Sequence, residues 1–180
     1  MDETLKFAGK YRIPSARLVE YDYGSNGLYF ITICTKDRAT FLGQIDPDTA
    51  LFQPSSIGQV AMDCWAAIPT FSPFVELDAF QLMPNHLHGV LRINKPGGSQ
   101  IICQPNRFGS QSQNLASIIR GYKSAVTKHA TMNQLAFGWQ PSFYERVVRN
   151  QDELIRIQRY IENNPAQWAN DKHNPVGIFM

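Results

Sequence analysis

His86 and His88 flank a single leucine in the run Pro84-Asn85-His86-Leu87-His88-Gly89-Val90. On an extended strand alternate side chains share a face, so both imidazoles point one way and Leu87 points the other. Two neutral imidazoles side by side suit a divalent cation. Taken alone, such a pair beside a turn is equally consistent with polar surface decoration.

Tyr160 and Asn164 stand four residues apart in the run Arg159-Tyr160-Ile161-Glu162-Asn163-Asn164-Pro165. On a helix that spacing puts phenol and carboxamide on one face, one turn apart. A cation near Asn164 would therefore also lie near Tyr160. The competing reading makes Tyr160 a core aromatic beside Ile157 and Ile161, and Asn163-Asn164-Pro165 a helix stop.

Combined, these residues supply two imidazole nitrogens and one amide oxygen as ligands, open positions for a phosphate oxygen and water, and a tyrosine nucleophile. That set implies phosphodiester chemistry. A free phenol has a pKa near ~10 and attacks poorly at neutral pH, so the cation must polarise the scissile phosphate. Attack by tyrosine exchanges one phosphodiester for another, leaving a 5′-phosphotyrosine and a free 3′-OH. Cutting and rejoining then need no nucleotide cofactor. Tyr144 competes as nucleophile, but Val148 stands four residues after it, so it is assigned to packing or base stacking.

The elements that must position these groups are legible from pattern. Gly27 to Thr35 is dense in aromatic and β-branched residues and reads as a buried strand. Ser55 or Ser56 can cap a helix with apolar residues at Ile57, Val60, Ala61, Cys64, Trp65 and Ile68, stopped by Pro69. Val75 to Met83 and His86 to Ile93 read as two antiparallel strands joined by the Pro84-Asn85 turn.

A second helix runs from about Asn114 to Ala130, a fourth strand covers Phe143 to Arg149, and a last helix covers Gln151 to Asn164, closed by Pro165. Residues 95–113 are rich in Gly, Pro, Ser and Gln and read as a mobile surface loop. The order predicts an α+β fold, a ferredoxin-like antiparallel four-stranded sheet with helices packed on it, plus one extra C-terminal helix carrying Tyr160.

With 180 residues and 43% hydrophobic composition, the chain is expected to form one domain, 1–180. It lacks the roughly 18 to 20 uninterrupted apolar residues of a membrane span, and its start lacks a signal-peptide pattern, which predicts a cytoplasmic protein. Cys34, Cys64 and Cys103 form no C-x-x-C pair and are read as reduced thiols. A net charge of +2 permits a nucleic-acid partner without requiring one, so that argument rests on local patches. Arg120 and Lys123, with Arg107, Arg146 and Arg149, could bind phosphates, while Tyr144 or Phe143 could stack on an unpaired base. For any one of these, a solvated charged surface is an equal alternative.

Five ordered stretches carry a resemblance to a known family: YFITICTKDR (29–38), LMPNHLHGV (82–90), SIIRGYKSAVTK (117–128), WQPSFYERVVRN (139–150) and RYIENNPAQW (159–168). The sequence resembles the single-tyrosine HUH transposases of the IS200-like family, most of all the REP-associated tyrosine transposases, from about Tyr21 to Trp168. The resemblance matches His86 and His88 to the paired histidines, Tyr160 to the catalytic tyrosine and Asn164 to the polar third metal ligand. It implies a DNA transposase with a ferredoxin-like palm, Mg2+ or Mn2+ as cofactor, a single-stranded DNA substrate bearing a hairpin, and it allows a homodimer. Arg146 departs from the pattern, since many relatives carry histidine there. A hairpin-binding module without cleavage, and a phosphoesterase in which water attacks, are the alternatives.

Overall fold

The computed structural model describes residues 21–96 and 112–171. Arg107, Cys103 and most of the 95–113 loop lie outside them. Strand β1, Gly27–Cys34, is buried on both faces along most of its length. Tyr29, Ile31 and Ile33 enter the larger core, while Phe30 enters a second core on the opposite face. Two short strands follow, β2 (Gly43–Ile45) and β3 (Phe52–Pro54), paired as a small hairpin that the sequence pattern did not announce.

Helix α1, Ser56–Ala66, starts where expected. The Ser55 hydroxyl accepts from the Gly58 amide at 3.0 Å and donates to the Phe41 carbonyl at 2.7 Å. It stops at Ala66, two residues earlier than expected. Pro69 does not end it but sits in the first turn of a separate four-residue helix, α2 (Ile68–Phe71), where a missing amide hydrogen costs nothing.

Strands β4 (Val75–Met83) and β5 (His86–Ile93) match the expected pair residue for residue. Helix α3, Leu115–Met132, is opened by a reciprocal cap in which Asn114 accepts from the Ser117 amide and Ser117 accepts from the Asn114 amide. Strand β6 covers Tyr144–Val148. The sheet order is β4-β5-β1-β6, antiparallel throughout. This is the expected α+β arrangement, a split β-α-β unit with the first strand at its centre. Among the described residues no helix is long and apolar enough to cross a membrane. Cys34 and Cys64 are free thiols, as read, and burial raises both pKa values.

Helices α1 and α3 cover one face of the sheet, where Trp65, Ile119, Tyr122 and Val126 meet Leu87 and Leu91. Gly89 is required here, because a β-carbon on it would strike the Trp65 ring. Within α3, Gly121 has no such reason, since a β-carbon there would meet nothing within 4 Å. Gly121→Ala is therefore expected to stabilise the protein by about 1 kcal/mol, read as a higher urea midpoint. An unchanged midpoint would mean that the unfolded chain gains nothing from losing the glycine.

Helix α4, Gln151–Asp171, covers the other face with Leu154, Ile157 and Ile161 against Phe30, Val90 and Val148. Its start is pinned twice: the Asn150 side chain accepts from the Glu153 amide at 2.9 Å, and Glu153 accepts from the Arg149 amide at 2.9 Å. Glu153 also pairs with Arg146 at 2.7 Å. These contacts, led by the Arg149 amide, hold the Glu153 carboxyl below its ordinary pKa. The unfolded chain thus binds the proton more readily, and the contribution is present at neutral pH and lost as pH falls through the folded value. Glu153→Gln is expected to flatten this acid loss of stability, as measured by urea midpoints from neutral to acidic pH; an identical pH profile would contradict it.

The sequence placed the end of α4 at Asn164, but the helix continues through Pro165 to Asp171. An internal proline costs about 3 kcal/mol. One turn further on, Trp168 is buried, its ring centroid 6.3 Å from that of His86. Burial of that indole offsets the proline.

Candidate active site

Register determines which groups meet. His88 pairs with Thr32 on β1, and Thr32 pairs in turn with Tyr144 on β6. The even-numbered residues of β5 face α4, so His86 and His88 point at the helix that carries Tyr160 and Asn164. Both imidazoles are buried, as is Asn164, while Tyr160 is half-buried. The rings of His86 and His88 lie 4.7 Å apart, and the Tyr160 ring lies 5.1 Å from His88. Phe30 stacks on His88 at 5.6 Å and also meets the Tyr160 ring.

Hydrogen bonding defines the tautomer of His86. The Asn85 amide nitrogen donates to the Arg38 carbonyl at 3.2 Å, which turns its oxygen toward His86 Nδ1 at 2.7 Å. An amide oxygen only accepts, so His86 carries its proton on Nδ1 and leaves a lone pair on Nε2. That lone pair faces His88 Nε2 at 3.1 Å. His88 Nδ1 lies 2.9 Å from the Thr32 hydroxyl, and the Tyr160 hydroxyl lies 3.2 Å from His88 Nε2. The Thr32 hydroxyl can donate to or accept from Nδ1, and when it accepts, the His88 Nε2 lone pair receives the phenol hydrogen.

Burial is the largest cause lowering both imidazole pKa values, with the Arg38 charge adding to it; His86 falls to about 4 and His88 falls well below the ordinary value. Both rings are neutral near pH 7, the form that binds metals. Asn164 opposes the shift at His86, so its carboxamide faces that ring. Yet neither its oxygen nor its nitrogen finds a hydrogen bond, although both are buried. Each orphan costs about 1–3 kcal/mol, which a cation on the oxygen would offset in part. Two opposed Nε2 atoms beside an unsatisfied amide oxygen fit a divalent cation. Among the described residues no group of three His, Cys, Asp or Glu side chains could hold a metal ion, so a cation at this place would need the Asn164 amide as well as the two imidazoles.

The basic residues singled out from sequence divide. Lys123 donates its ammonium to the Gln140 carbonyl, with the Ser142 carbonyl at 3.3 Å, and is partly desolvated, which lowers its pKa. It ties α3 to the loop before β6. Arg146 pairs with Glu153, and Arg149 and Arg120 are exposed. Tyr144, 40% exposed, stands on the same sheet face as His88, edge-on to Phe30. Asn85 and Thr32 escaped the sequence reading: Asn85 passed as a turn residue, and Thr32 acquires its partner only through cross-strand register.

The fold and this face define a class: a ferredoxin-like palm presenting paired histidines to a tyrosine-bearing helix. The chain belongs to one family with an uncharacterized protein of Haemophilus influenzae, 37% identical over 174 residues, or 92% of this chain and 94% of that one. No protein-family model matches it. Its fold is shared with a REP-associated tyrosine transposase solved bound to a REP hairpin, with a TM-score of 0.57 and 18% identity over 87% of this chain and 74% of that one. The family resemblance read from the five motifs agrees with that fold.

Proposed function

We propose that this chain is a transposase that cuts and rejoins single-stranded DNA through a covalent link to Tyr160. The observation that carries the reading is the convergence of the Tyr160 hydroxyl and His86 Nε2 on His88 Nε2, at 3.2 and 3.1 Å, beside the unsatisfied carboxamide of Asn164. A bound Mg2+ or Mn2+, held by His86, His88 and Asn164, would polarise the scissile phosphate and offset charge on the departing oxygen.

The protein's own groups do the rest. The Tyr160 oxygen attacks phosphorus, a tyrosyl O–P bond forms, and the P–O3′ bond breaks. The phenol loses its proton to solvent, and the departing 3′ oxygen gains one. A second 3′-OH reverses the sequence and frees Tyr160. The His88 Nε2 lone pair serves one partner at a time, so the phenol resting on it is released when that pair is taken up elsewhere. Asn85 holds His86 in the tautomer that keeps its Nε2 lone pair available, and Thr32 orients the His88 ring. The neighbour's REP hairpin supports a hairpin-bearing substrate for this chain.

The test is a denaturing gel of the protein with labelled single-stranded hairpins from the DNA flanking its own gene, with Mn2+ or with a chelator. A covalent adduct that requires the cation is expected. Hairpins that bind without ever forming an adduct would replace this reading with a binding module.

A further inference from the structure

The first of the five matching stretches ends at Arg38, a residue that no step above employs. After β1 the chain turns sharply through Asp37 and Arg38, both at φ 54°, the left-handed region that a β-carbon disfavours. Such a turn persists where its surroundings hold it, and here they are the residues leading into β5. The Thr35 amide donates to the Asn85 carbonyl at 3.0 Å, and the Leu42 amide donates to the Pro84 carbonyl at 3.0 Å. Between them, the Asn85 side-chain nitrogen donates to the Arg38 carbonyl at 3.2 Å, while its oxygen meets His86 Nδ1 at 2.7 Å. One carboxamide thus ties the Arg38 main chain at one end to the imidazole at the other.

The Arg38 side chain is half-buried, and its charge is felt across the site. It disfavours protonation of His86 and His88 and favours the thiolate of Cys34, the residue paired with His86 across the strands. Other cations of the protein are already matched: Arg146 pairs with Glu153, Arg92 pairs with Glu76, and Lys123 donates to carbonyl oxygens. Among the described residues, no carboxylate pairs with Arg38 and no acceptor takes a hydrogen bond from its guanidinium.

A guanidinium fixed beside two imidazoles that suit a divalent cation leaves like charges facing one another until an anion enters. A phosphodiester resolves the conflict, because it has two non-bridging oxygens, one for the cation and one for the guanidinium. Arginine suits that task, since it stays charged at any working pH and its planar fork matches phosphate oxygens.

We propose that Arg38 binds the scissile phosphate alongside the cation site, donating to a non-bridging oxygen and offsetting the charge that gathers there as the Tyr160 oxygen attacks. The inference rests on the proposed function for its DNA substrate.

The test uses the full chain and the labelled hairpins of the adduct assay, with the cleavage position mapped from the wild-type adduct. Arg38→Gln is expected to slow adduct formation about a hundredfold. The substitution keeps the main-chain carbonyl that anchors Asn85, and calorimetric titration with Mn2+ in the absence of DNA checks the site itself. Mn2+ is expected to bind the variant at least as tightly as wild type, because a repelling charge has gone. In chelator, an uncharged methylphosphonate at the mapped position is expected to weaken hairpin binding about tenfold in wild type and to leave binding by Arg38→Gln unaffected. Adduct formation by Arg38→Gln at the wild-type rate overturns the inference. So does Mn2+ binding that weakens together with adduct formation, which would make Arg38 a support of the turn, and so does an equal methylphosphonate penalty in both proteins. A wild type that forms no adduct removes the proposed function and this inference together, whereas a wild-type adduct with an unaffected variant removes the role of Arg38 alone.

Discussion

Tyr160→Phe is expected to abolish the covalent protein–DNA adduct completely while leaving the protein folded. The ring keeps its edge-on contacts to Phe30 at 6.4 Å and to His88 at 5.1 Å, so packing on α4 survives. Only the hydroxyl is lost, with its 3.2 Å contact to His88 Nε2. A single hydrogen bond at a half-buried site is worth about 1 kcal/mol, a few degrees of melting temperature at most for a chain of this size. Phenylalanine has no atom that can attack phosphorus, so the chemical effect is total. Adduct of normal yield from this variant would move the nucleophile elsewhere, Tyr144 being the first place to look.

Asn164→Leu is expected to separate stability from activity. Leucine has the same number of side-chain heavy atoms as asparagine but brings no donor or acceptor, so it fills the site without the two orphaned polar atoms. Removing them should stabilise the metal-free protein by about 1–3 kcal/mol for each atom, with a few tenths more from helix propensity. The same substitution deletes the third proposed ligand, so Mn2+ should bind more weakly and the metal-dependent adduct should vanish. Urea unfolding in chelator and calorimetric titration with Mn2+ read the two halves independently. A variant that is destabilised in chelator would show that the carboxamide is already satisfied without a cation and would undo the argument for the ligand set.

Local periodicity made much of this legible. Alternation along His86-Leu87-His88 and the four-residue step from Tyr160 to Asn164 each depend on one element's geometry, and β4, β5 and α4's first turns follow from the same arithmetic. What stayed hidden depended on other elements. The three-residue strands of the β2–β3 hairpin are too short to show a period. Thr32 and Asn85 are placed against the histidines by pairing and by a turn. Pro165 obeys a local stop rule that the burial of Trp168 overrides. Lys123 and Arg146 carry charges that sequence reads as available for phosphate, yet one is spent on carbonyl oxygens and the other on Glu153.

The glycine after the second histidine sets how far the chemistry extends into the protein. Because the Trp65 indole occupies the space where a side chain at position 89 would stand, the imidazoles and the main hydrophobic layer are separated only by the thickness of one peptide ribbon. Pressure applied from beneath, by enlarging any neighbour of Trp65, is transmitted to His88 as a shift of the main chain that bears it. The far layer of this protein therefore acts as a foundation for the near one, and residues that never touch the two imidazoles are able to misalign them.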